Sequence, residues 1–268
     1  IWTFDPQSYQ AGRPPNHGFV HRGVAYWEKD NDKRIFVGTL DSFLYSIDAC
    51  TGEVDLNFNN GGKVNLLEGL GRAINNDHYG VNSPPLVCKD TVVVGSSVMD
   101  YPAQYLNATS MAPGDVRAYD AITGQLKWQF HVIPHEDEFG ADTWKNNSYL
   151  EGAGVNVWST FSCDEELGMV YLPLTTPTND HFGGDRLGDN LFAESVVALD
   201  IETGDRKWHF QTVHHGLWDY DLPAAPNLVD VTTAAGTEKL LAQVTKQAFL
   251  FVFNRETGQP KWPITETP

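Results

Sequence analysis

The chain has 268 residues, of which 41% are hydrophobic and 12% aromatic, and its formal net charge is −17. That composition is sufficient to bury a core within a single all-β domain. The negative charge excludes nucleic acid and anionic lipid as partners, because these ligands require clustered Lys and Arg. No apolar stretch approaches the ~20 residues that cross a bilayer, so no membrane span is expected in this segment.

The two ends of the chain predict a fragment. It opens with Ile1-Trp-Thr-Phe-Asp-Pro6, without an initiator Met or a signal peptide, and it stops at Glu266-Thr-Pro268 in what resembles a turn. We therefore expect both ends to be cut, with any membrane anchor or haem domain outside these residues.

The three cysteines follow no recognised metal or redox pattern. Cys50, Cys88 and Cys163 show no Cys-x-x-Cys spacing, no zinc pattern and no haem-attachment pattern. They leave the redox compartment open, and the expectation is that they are buried free thiols.

Short apolar runs separated by Gly and Pro predict many short strands. One segment recurs among them, of the form apolar-x-Asp-x-x-Thr-Gly-x-x-x-Trp. Its four Thr-Gly pairs are Thr51-Gly52, Thr123-Gly124, Thr203-Gly204 and Thr257-Gly258. The apolar strands expected to precede these pairs are Ile35–Gly38, Val92–Gly95, Val170–Leu172 and Phe249–Val252.

Each copy of the repeat predicts a β-hairpin. The Asp or Asn side chain caps the turn, and the Gly takes a positive φ before the outgoing strand. The Trp on that strand is well placed to pack against the adjacent unit. In the first copy Leu56 stands at the Trp position and is expected to be a weaker plug.

The repeat predicts an all-β fold, a β-propeller of four-stranded blades that forms a single partial domain over residues 1–268. Hairpins are expected near residues 43–57, 116–130, 196–210 and 250–264. The glycines of successive copies are 72, 80 and 54 residues apart, so long loops are inserted between blades. Such loops on a rigid scaffold usually carry function. About four blades of a larger ring, an eight-bladed propeller, are expected.

Three stretches, together with the Trp-bearing repeat, resemble the pyrroloquinoline-quinone-dependent dehydrogenases, particularly their membrane-type glucose and quinate branch. They are Val20-His-Arg-Gly-Val-Ala-Tyr-Trp27, Pro113-Gly-Asp-Val-Arg-Ala-Tyr-Asp120 and Thr212-Val-His-His-Gly-Leu-Trp-Asp-Tyr-Asp-Leu-Pro223. The third is the most specific. The resemblance covers nearly the whole chain, and the lack of an adjacent Cys-Cys pair favours the glucose/quinate-like branch.

The resemblance implies an oxidoreductase that oxidises a primary or secondary alcohol, a polyol or a sugar hydroxyl. Hydride would pass to pyrroloquinoline quinone in the presence of Ca²⁺ or Mg²⁺, with a lanthanide as the less favoured metal. Asp219 would be the general base, with Asp221 as second choice because an extended segment would point it to the same side. Lys246, which lies 27 residues beyond Asp219, would stabilise charge near the quinone oxygens.

Further residues are carried over from the family for the cofactor. Arg22 would meet a cofactor carboxylate, with His21 or His17 as helpers. Trp158 would stack on the quinone ring, and Ser97 would hydrogen-bond to the cofactor.

For the metal, the resemblance implies Asp100, Thr176, Asp219 and Asp221 as ligands. Thr176 is a departure, since many family members have an Asn in a Gly-Asn pair at this point, whereas this chain has Thr175-Thr176.

The resemblance also implies a periplasmic location, attachment to the inner membrane through another part of the protein, and ubiquinone or cytochrome c as electron acceptor. Residues 134–154 and 177–190 are the loops expected to select the substrate. One alternative function is a non-enzymatic scaffold or ligand sensor, in which the carboxylates cap turns, Lys246 is solvated and Trp158 belongs to a blade core. Another is a propeller glycoside hydrolase with paired carboxylates.

Overall fold

Antiparallel sheets follow one another along the chain in the computed structural model, which describes residues 1–12, 18–72, 74, 76–99, 111–234 and 236–266. Short 3-10 helices are the other regular elements. This confirms the all-β prediction. No helix in the described part is long and apolar enough to cross a membrane.

Each of the first three blades is a four-stranded sheet. Blade 1 contains β1 (Ala25–Lys29), β2 (Asp32–Gly38), β3 (Phe43–Asp48) and β4 (Lys63–Asn65). A separate pair is formed by β5 (Tyr79–Gly80) and β8 (Ser97–Val98). Blade 2 contains β6 (Leu86–Cys88), β7 (Thr91–Val94), β9 (Val116–Asp120) and β10 (Leu126–Phe130). Blade 3 contains β11 (Ser162–Asp164), β12 (Met169–Pro173), β13 (Ser195–Asp200) and β14 (Arg206–Gln211).

Blade 4 is described as a three-stranded sheet of β15 (Asn227–Thr233), β16 (Gly236–Val244) and β17 (Leu250–Asn254). An isolated bridge between Phe253 and Pro260 extends it beyond the last Thr-Gly turn. The predicted run Phe249–Val252 overlaps the strand that leads into this turn, and the strand before it is β16. The expectation that this run is the strand before the hairpin was therefore wrong, because the run belongs to the hairpin itself and β16 is the strand before it.

Alternating side chains on the strands pack neighbouring blades together. On β7, Val92 and Val94 belong to the cluster shared with blade 1, whereas Val93 belongs to the cluster shared with blade 3. On β12, Val170 faces blade 2 and Tyr171 faces blade 4. The described apolar core is thus a series of layers between sheets.

Two tryptophans of the repeat, Trp128 and Trp208, dock on the next blade, as predicted, whereas Trp262 is 62% exposed. A Cβ placed on Gly204 would lie 2.7 Å from the Trp128 ring, and one on Gly258 would lie 2.6 Å from the Trp208 ring, so only glycine fits beneath each indole. Trp128 Nε1 also donates to the Ile201 carbonyl at 2.8 Å.

The expectation for Leu56 was wrong, because this side chain is 72% exposed. Phe58 is fully buried instead, and the Asn59 amide donates to the Gly124 carbonyl at 2.8 Å. In the first repeat, Phe58 and Asn59 therefore make the contacts with the next blade in place of Leu56, since no strand continues through Leu56.

The contacts between blades identify the strands that line the inner rim, and the strand directions distinguish the two edges of the blades. The first strands of neighbouring blades touch in the order β1, β6, β11 and β15, so they line the inner rim. In blade 3, β11 begins and β12 ends at the edge opposite the Thr-Gly turn. We call this edge of the blades the site face.

The cysteine expectation was also wrong. Cys88 on β6 and Cys163 on β11 form a disulfide with Cα atoms 6.1 Å apart, and Cys50 is free but exposed. The pairing follows from the contact between β6 and β11, the first strands of blades 2 and 3. Residues 75 positions apart in sequence are therefore covalently joined across the blade interface.

We expect Cys88→Ser with Cys163→Ser to lower the free energy of unfolding of the full-length protein by about 2–4 kcal/mol, because the cross-link restricts the unfolded chain. Denaturant titration measures this difference, and Cys50→Ser is the matched control with unchanged stability. Equal stability of the double variant and the parent under oxidising conditions would contradict a native disulfide.

The segment that follows β10 is anchored on blade 3 by aromatic contacts. The Phe139 ring packs against His209, with ring centroids 5.6 Å apart, and the Arg206 guanidinium lies 4.0 Å from the Phe139 centroid. Burial, aided by the Arg206 charge, lowers the pKa of His209 from 6.5 to about 4. The Arg206 guanidinium accordingly donates to a neutral imidazole at 3.0 Å.

Between pH 6.5 and about pH 4, His209 is protonated in the unfolded chain but neutral in the folded protein. The free energy of unfolding should therefore decrease as the pH falls through this window. In the full-length protein, the free energy of unfolding of His209→Phe is expected to decrease less between pH 7 and pH 5 than that of the parent. The control His214→Phe replaces an exposed histidine and should follow the parent. Identical pH dependence in all three proteins would contradict a neutral buried His209.

Candidate active site

Five of the predicted site residues lie at corresponding places in successive blades. Arg22 precedes β1 and Trp158 precedes β11, whereas Thr176 follows β12 and Lys246 follows β16; Asp219 precedes β15. A first strand begins, and a second strand ends, at the site face. The propeller topology therefore gathers these side chains although they are far apart in sequence.

The centre of the site is a lysine bound to two carboxylates. Lys246 Nζ lies 2.9 Å from Asp219 Oδ2 and 3.0 Å from Asp221 Oδ2. Burial alone would lower the pKa of Lys246, but its hydrogen bonds to the two carboxylates raise it. The lysine is therefore an ammonium donor at neutral pH.

Asp221 is the more enclosed of the two carboxylates, with 11% of its side chain exposed against 41% for Asp219. The Thr176 backbone N–H donates to Asp221 Oδ1 at 2.8 Å, and Trp158 Nε1 donates to Asp221 Oδ2 at 3.0 Å. Burial raises the pKa of Asp221 in spite of these donors and of Lys246.

The backbone between the two carboxylates is not extended, which corrects the expectation for Asp221. Asp219 has a φ of +53°, in the left-handed region that Asp tolerates better than most residues. The chain turns at this residue, and the turn brings both carboxylates to the same lysine.

The Trp158 ring is half-buried and has a cation beside its face. The Arg22 guanidinium carbon lies 4.9 Å from the centroid of that ring. Arg22, Trp158, Asp221 and Lys246 thus form one continuous chain of contacts from blade 1 to blade 4. A flat apolar surface and two cations stand close together there.

His21 has its described contacts elsewhere. Its Nε2 lies 2.9 Å from the Gly38 carbonyl, and its Nδ1 accepts the Gly23 N–H at 3.2 Å. Both ring nitrogens are therefore engaged with the backbone of blade 1 and its approach. His17, the other predicted helper, lies outside the described residues.

Ser97 is buried on β8 opposite Gly80. Its neighbour Ser96 donates a backbone N–H to the Val157 carbonyl at 3.2 Å, which puts this strand one residue from Trp158. Asp100, the predicted metal ligand beyond it, lies outside the described residues.

Two carboxylates that the sequence analysis did not select also belong to this site. Glu194 is fully buried, and Thr176 Oγ1 donates to its Oε1 at 3.0 Å. Burial raises the pKa of Glu194 to about 7. Burial together with the charges of Asp219 and Asp221 raises the pKa of Asp180 to about 6. The available signal was an acidic residue, Glu194, directly before the apolar strand β13.

The loop that carries Asp219 rests on a buried arginine and on Glu194. The Arg186 guanidinium donates to the Gly216 carbonyl at 2.7 Å and to the Asn179 carbonyl at 2.9 Å. A Cβ on Gly216 would overlap the Glu194 carboxylate. Gly216 is therefore required for the loop to approach blade 3 this closely.

Comparison with known proteins agrees with this geometry. A family model described as "PQQ: Glucose/ethanol/alcohol dehydrogenase, beta-propeller domain" matches residues 1–268. The chain belongs to the pyrroloquinoline-quinone-dependent dehydrogenase family. The predicted family and the propeller fold are thereby confirmed.

Among the relatives of this quinoprotein chain, the quinate/shikimate dehydrogenase (quinone) of Acinetobacter baylyi is 36% identical over 238 residues, 88% of this chain and 28% of that protein. The quinoprotein glucose dehydrogenase of Gluconobacter oxydans is 33% identical over 287 residues, 100% of this chain and 34% of that protein. The chain therefore spans about a third of the length of these relatives.

Solved structures show the same fold. The quinohemoprotein alcohol dehydrogenase from Comamonas testosteroni superposes with a TM-score of 0.79 at 29% identity, over 100% of this chain and 38% of that one. A quinohemoprotein alcohol dehydrogenase from Pseudomonas putida superposes with a TM-score of 0.78 at 29% identity, over 97% and 36% of the two chains.

We expect Gly216→Ala to lower the free energy of unfolding of the full-length protein by about 1–3 kcal/mol, because the added methyl overpacks the loop against Glu194. Gly152→Ala is the comparison variant with a smaller expected loss, because its added methyl would lie 3.1 Å from Ile133 and would not overlap a carboxylate.

A double-mutant cycle with Glu194→Ala isolates the contact, because removal of the carboxylate should relieve much of the cost of Gly216→Ala. Chemical denaturation measures all four proteins. Strict additivity of the two changes would contradict the close approach of Gly216 to Glu194.

Proposed function

We propose that this chain forms the catalytic part of a pyrroloquinoline-quinone-dependent dehydrogenase that oxidises the hydroxyl of an alcohol, a polyol or a sugar. The observation that carries the proposal is the contact of Lys246 with both Asp219 and Asp221 beside the Trp158 ring. A proton acceptor, a fixed cation and a flat apolar surface are the parts that such a reaction requires from the protein.

The residues present fit the quinone cofactor. Trp158 offers a half-buried ring, and Arg22 and Lys246 offer positive charge on two sides of it for the cofactor's carboxylates and quinone oxygens. When bound, the cofactor supplies the acceptor for the two electrons that leave the substrate carbon. We assign Ser97 as a further hydrogen-bonding group, and His21 and His17 as weaker candidates.

The donor set also fits a hard divalent cation. Asp219, Asp221, Thr176 and Glu194 present oxygen atoms, and Glu194 Oε2 is buried with no hydrogen-bond partner among the described residues. Burial raises the pKa of Asp221, Glu194 and Asp180, so a bound cation would offset the cost of ionising these enclosed carboxylates. We propose Ca²⁺ or Mg²⁺, with Asp100 as an additional ligand and a lanthanide as the second choice.

Asp219 is assigned as the general base because it is the more exposed carboxylate of the pair. Its oxygen can accept the proton of a substrate hydroxyl, whereas Asp221 is enclosed by Thr176 and Trp158. Lys246 fixes Asp219 by a charge-assisted hydrogen bond, which holds the carboxylate in one orientation.

The periplasm is the proposed location, since a disulfide between Cys88 and Cys163 persists in an oxidising compartment. We propose ubiquinone or cytochrome c as the electron acceptor and attachment to the inner membrane through another part of the protein. One relative, named quinate/shikimate dehydrogenase (quinone), supports the quinone acceptor.

In the full-length protein supplied with pyrroloquinoline quinone and Ca²⁺, we expect Asp219→Asn to bind the cofactor and to lose about 10²–10⁴-fold in dye-reduction rate, because the amide cannot accept the proton. Absorbance spectra report cofactor binding, and a panel of alcohols and sugars reports turnover. Asp30→Asn, a change at an exposed acidic residue in the turn between β1 and β2, is the control and should retain the parental rate.

Two outcomes count against the proposal in different ways. Full turnover by Asp219→Asn would overturn the role of this residue. Failure of the parent protein to bind quinone and to reduce dye with any substrate would overturn the dehydrogenase itself and favour a non-enzymatic propeller.

A further inference from the structure

A second group of metal-binding side chains lies on the segment that leaves blade 2. His131, His135 and Glu138 each offer one ligand atom, and the three atoms lie within 4.8 Å of one another. His131 Nδ1 is 2.8 Å from Glu138 Oε1. The rings of His131 and His135 are stacked, with centroids 3.7 Å apart and an angle of 18° between their planes.

The three residues are held by the local backbone. The His135 N–H donates to Glu138 Oε2 at 2.8 Å, and the Glu138 N–H donates back to the His135 carbonyl at 2.9 Å. This reciprocal turn fixes the spacing of the imidazole and the carboxylate.

Both ends of the segment are anchored to rigid parts of the propeller. His131 directly follows β10, and Phe139 packs against Phe192, with centroids 6.3 Å apart, and against His209. A metal would therefore bind to ligands that are already close together, with little loss of chain entropy. The side chains are also reachable from solvent, with 24% of His131 and 45% of Glu138 exposed.

We propose that His131, His135 and Glu138 form a second metal site, which binds Zn²⁺ or a similar borderline cation such as Co²⁺. Two imidazoles and one carboxylate are a common ligand set of zinc, with at least one coordination position left for water or a solute ligand. Ca²⁺ is disfavoured because it prefers an all-oxygen shell. The site is separate from Asp219, since it follows the fourth strand of blade 2 and not the inner rim.

The test uses full-length protein stripped with a chelator and then saturated with Ca²⁺, so that any hard-cation site is occupied. Zn²⁺ is titrated by calorimetry, and Co²⁺ is added in parallel to record its ligand-field absorption. We expect one Zn²⁺ site in the parent. The variants His135→Ala and Glu138→Gln should each weaken it by more than roughly 10-fold, and their melting temperatures in chelator should equal that of the parent.

The matched control is His214→Ala, because His214 forms a similar surface pair with Glu266, at 3.0 Å, outside the proposed site. It should bind Zn²⁺ like the parent. Zn²⁺ should also raise the melting temperature of the parent and not that of His135→Ala. An absence of Zn²⁺ binding to the parent, or unchanged affinity in both site variants, would overturn the proposal. Asp219→Asn should keep the Zn²⁺ site, so this test is independent of the dehydrogenase.

Discussion

Two indoles of the repeat, Trp128 and Trp208, each pack on a glycine of the following blade, and this contact sets how neighbouring sheets meet. Trp128 covers Gly204 and Trp208 covers Gly258, and each ring also donates a hydrogen bond to a carbonyl of the same turn or of its approach, as Trp208 does to Arg255. Because the two partners are a rigid ring and a residue without a side chain, the distance between blades has little freedom. The apolar layers between sheets then fill a gap of fixed width, and the opposite edges of the same blades hold the site.

Charge at the site face is dominated by carboxylates. Lys246 contacts two of them, and burial raises the pKa of two others, Glu194 and Asp180. Arg186 is buried near Glu194 and Asp180, and its guanidinium donates to backbone carbonyls of the loop. Thr176 joins two of these carboxylates, since its N–H donates to Asp221 and its hydroxyl donates to Glu194.

The repeat was sufficient to predict the propeller, because Asp, Gly and Trp at fixed spacing encode a turn and a docking ring locally. The resemblance to the family, and not the repeat, indicated Asp219, Lys246, Trp158 and Thr176 as one group, and these four residues lie together in the structure. Features that depend on contacts between distant segments could not be predicted from the sequence. The Cys88–Cys163 disulfide forms because the first strands of two blades meet, and Glu194 belongs to the site because the loop of Gly216 packs on it. The expectation that Leu56 packs against the next blade was wrong because the chain departs from the repeat at this point and buries Phe58 instead.

Asp219, Asp221 and their lysine belong to blade 4, and the groups that contact them across the blade interface belong to blade 3. Asp219 and Asp221 precede β15, Lys246 follows β16, and Thr176 and Glu194 belong to blade 3. The Thr176–Asp221 hydrogen bond of 2.8 Å therefore depends on how blade 4 sits against blade 3, and at the other edge that position is held by Trp208 on Gly258. A packed interface transmits small displacements because it has no voids to absorb them. The docking tryptophan is thus part of the geometry of the site, although it lies at the far edge of the blade from the carboxylates.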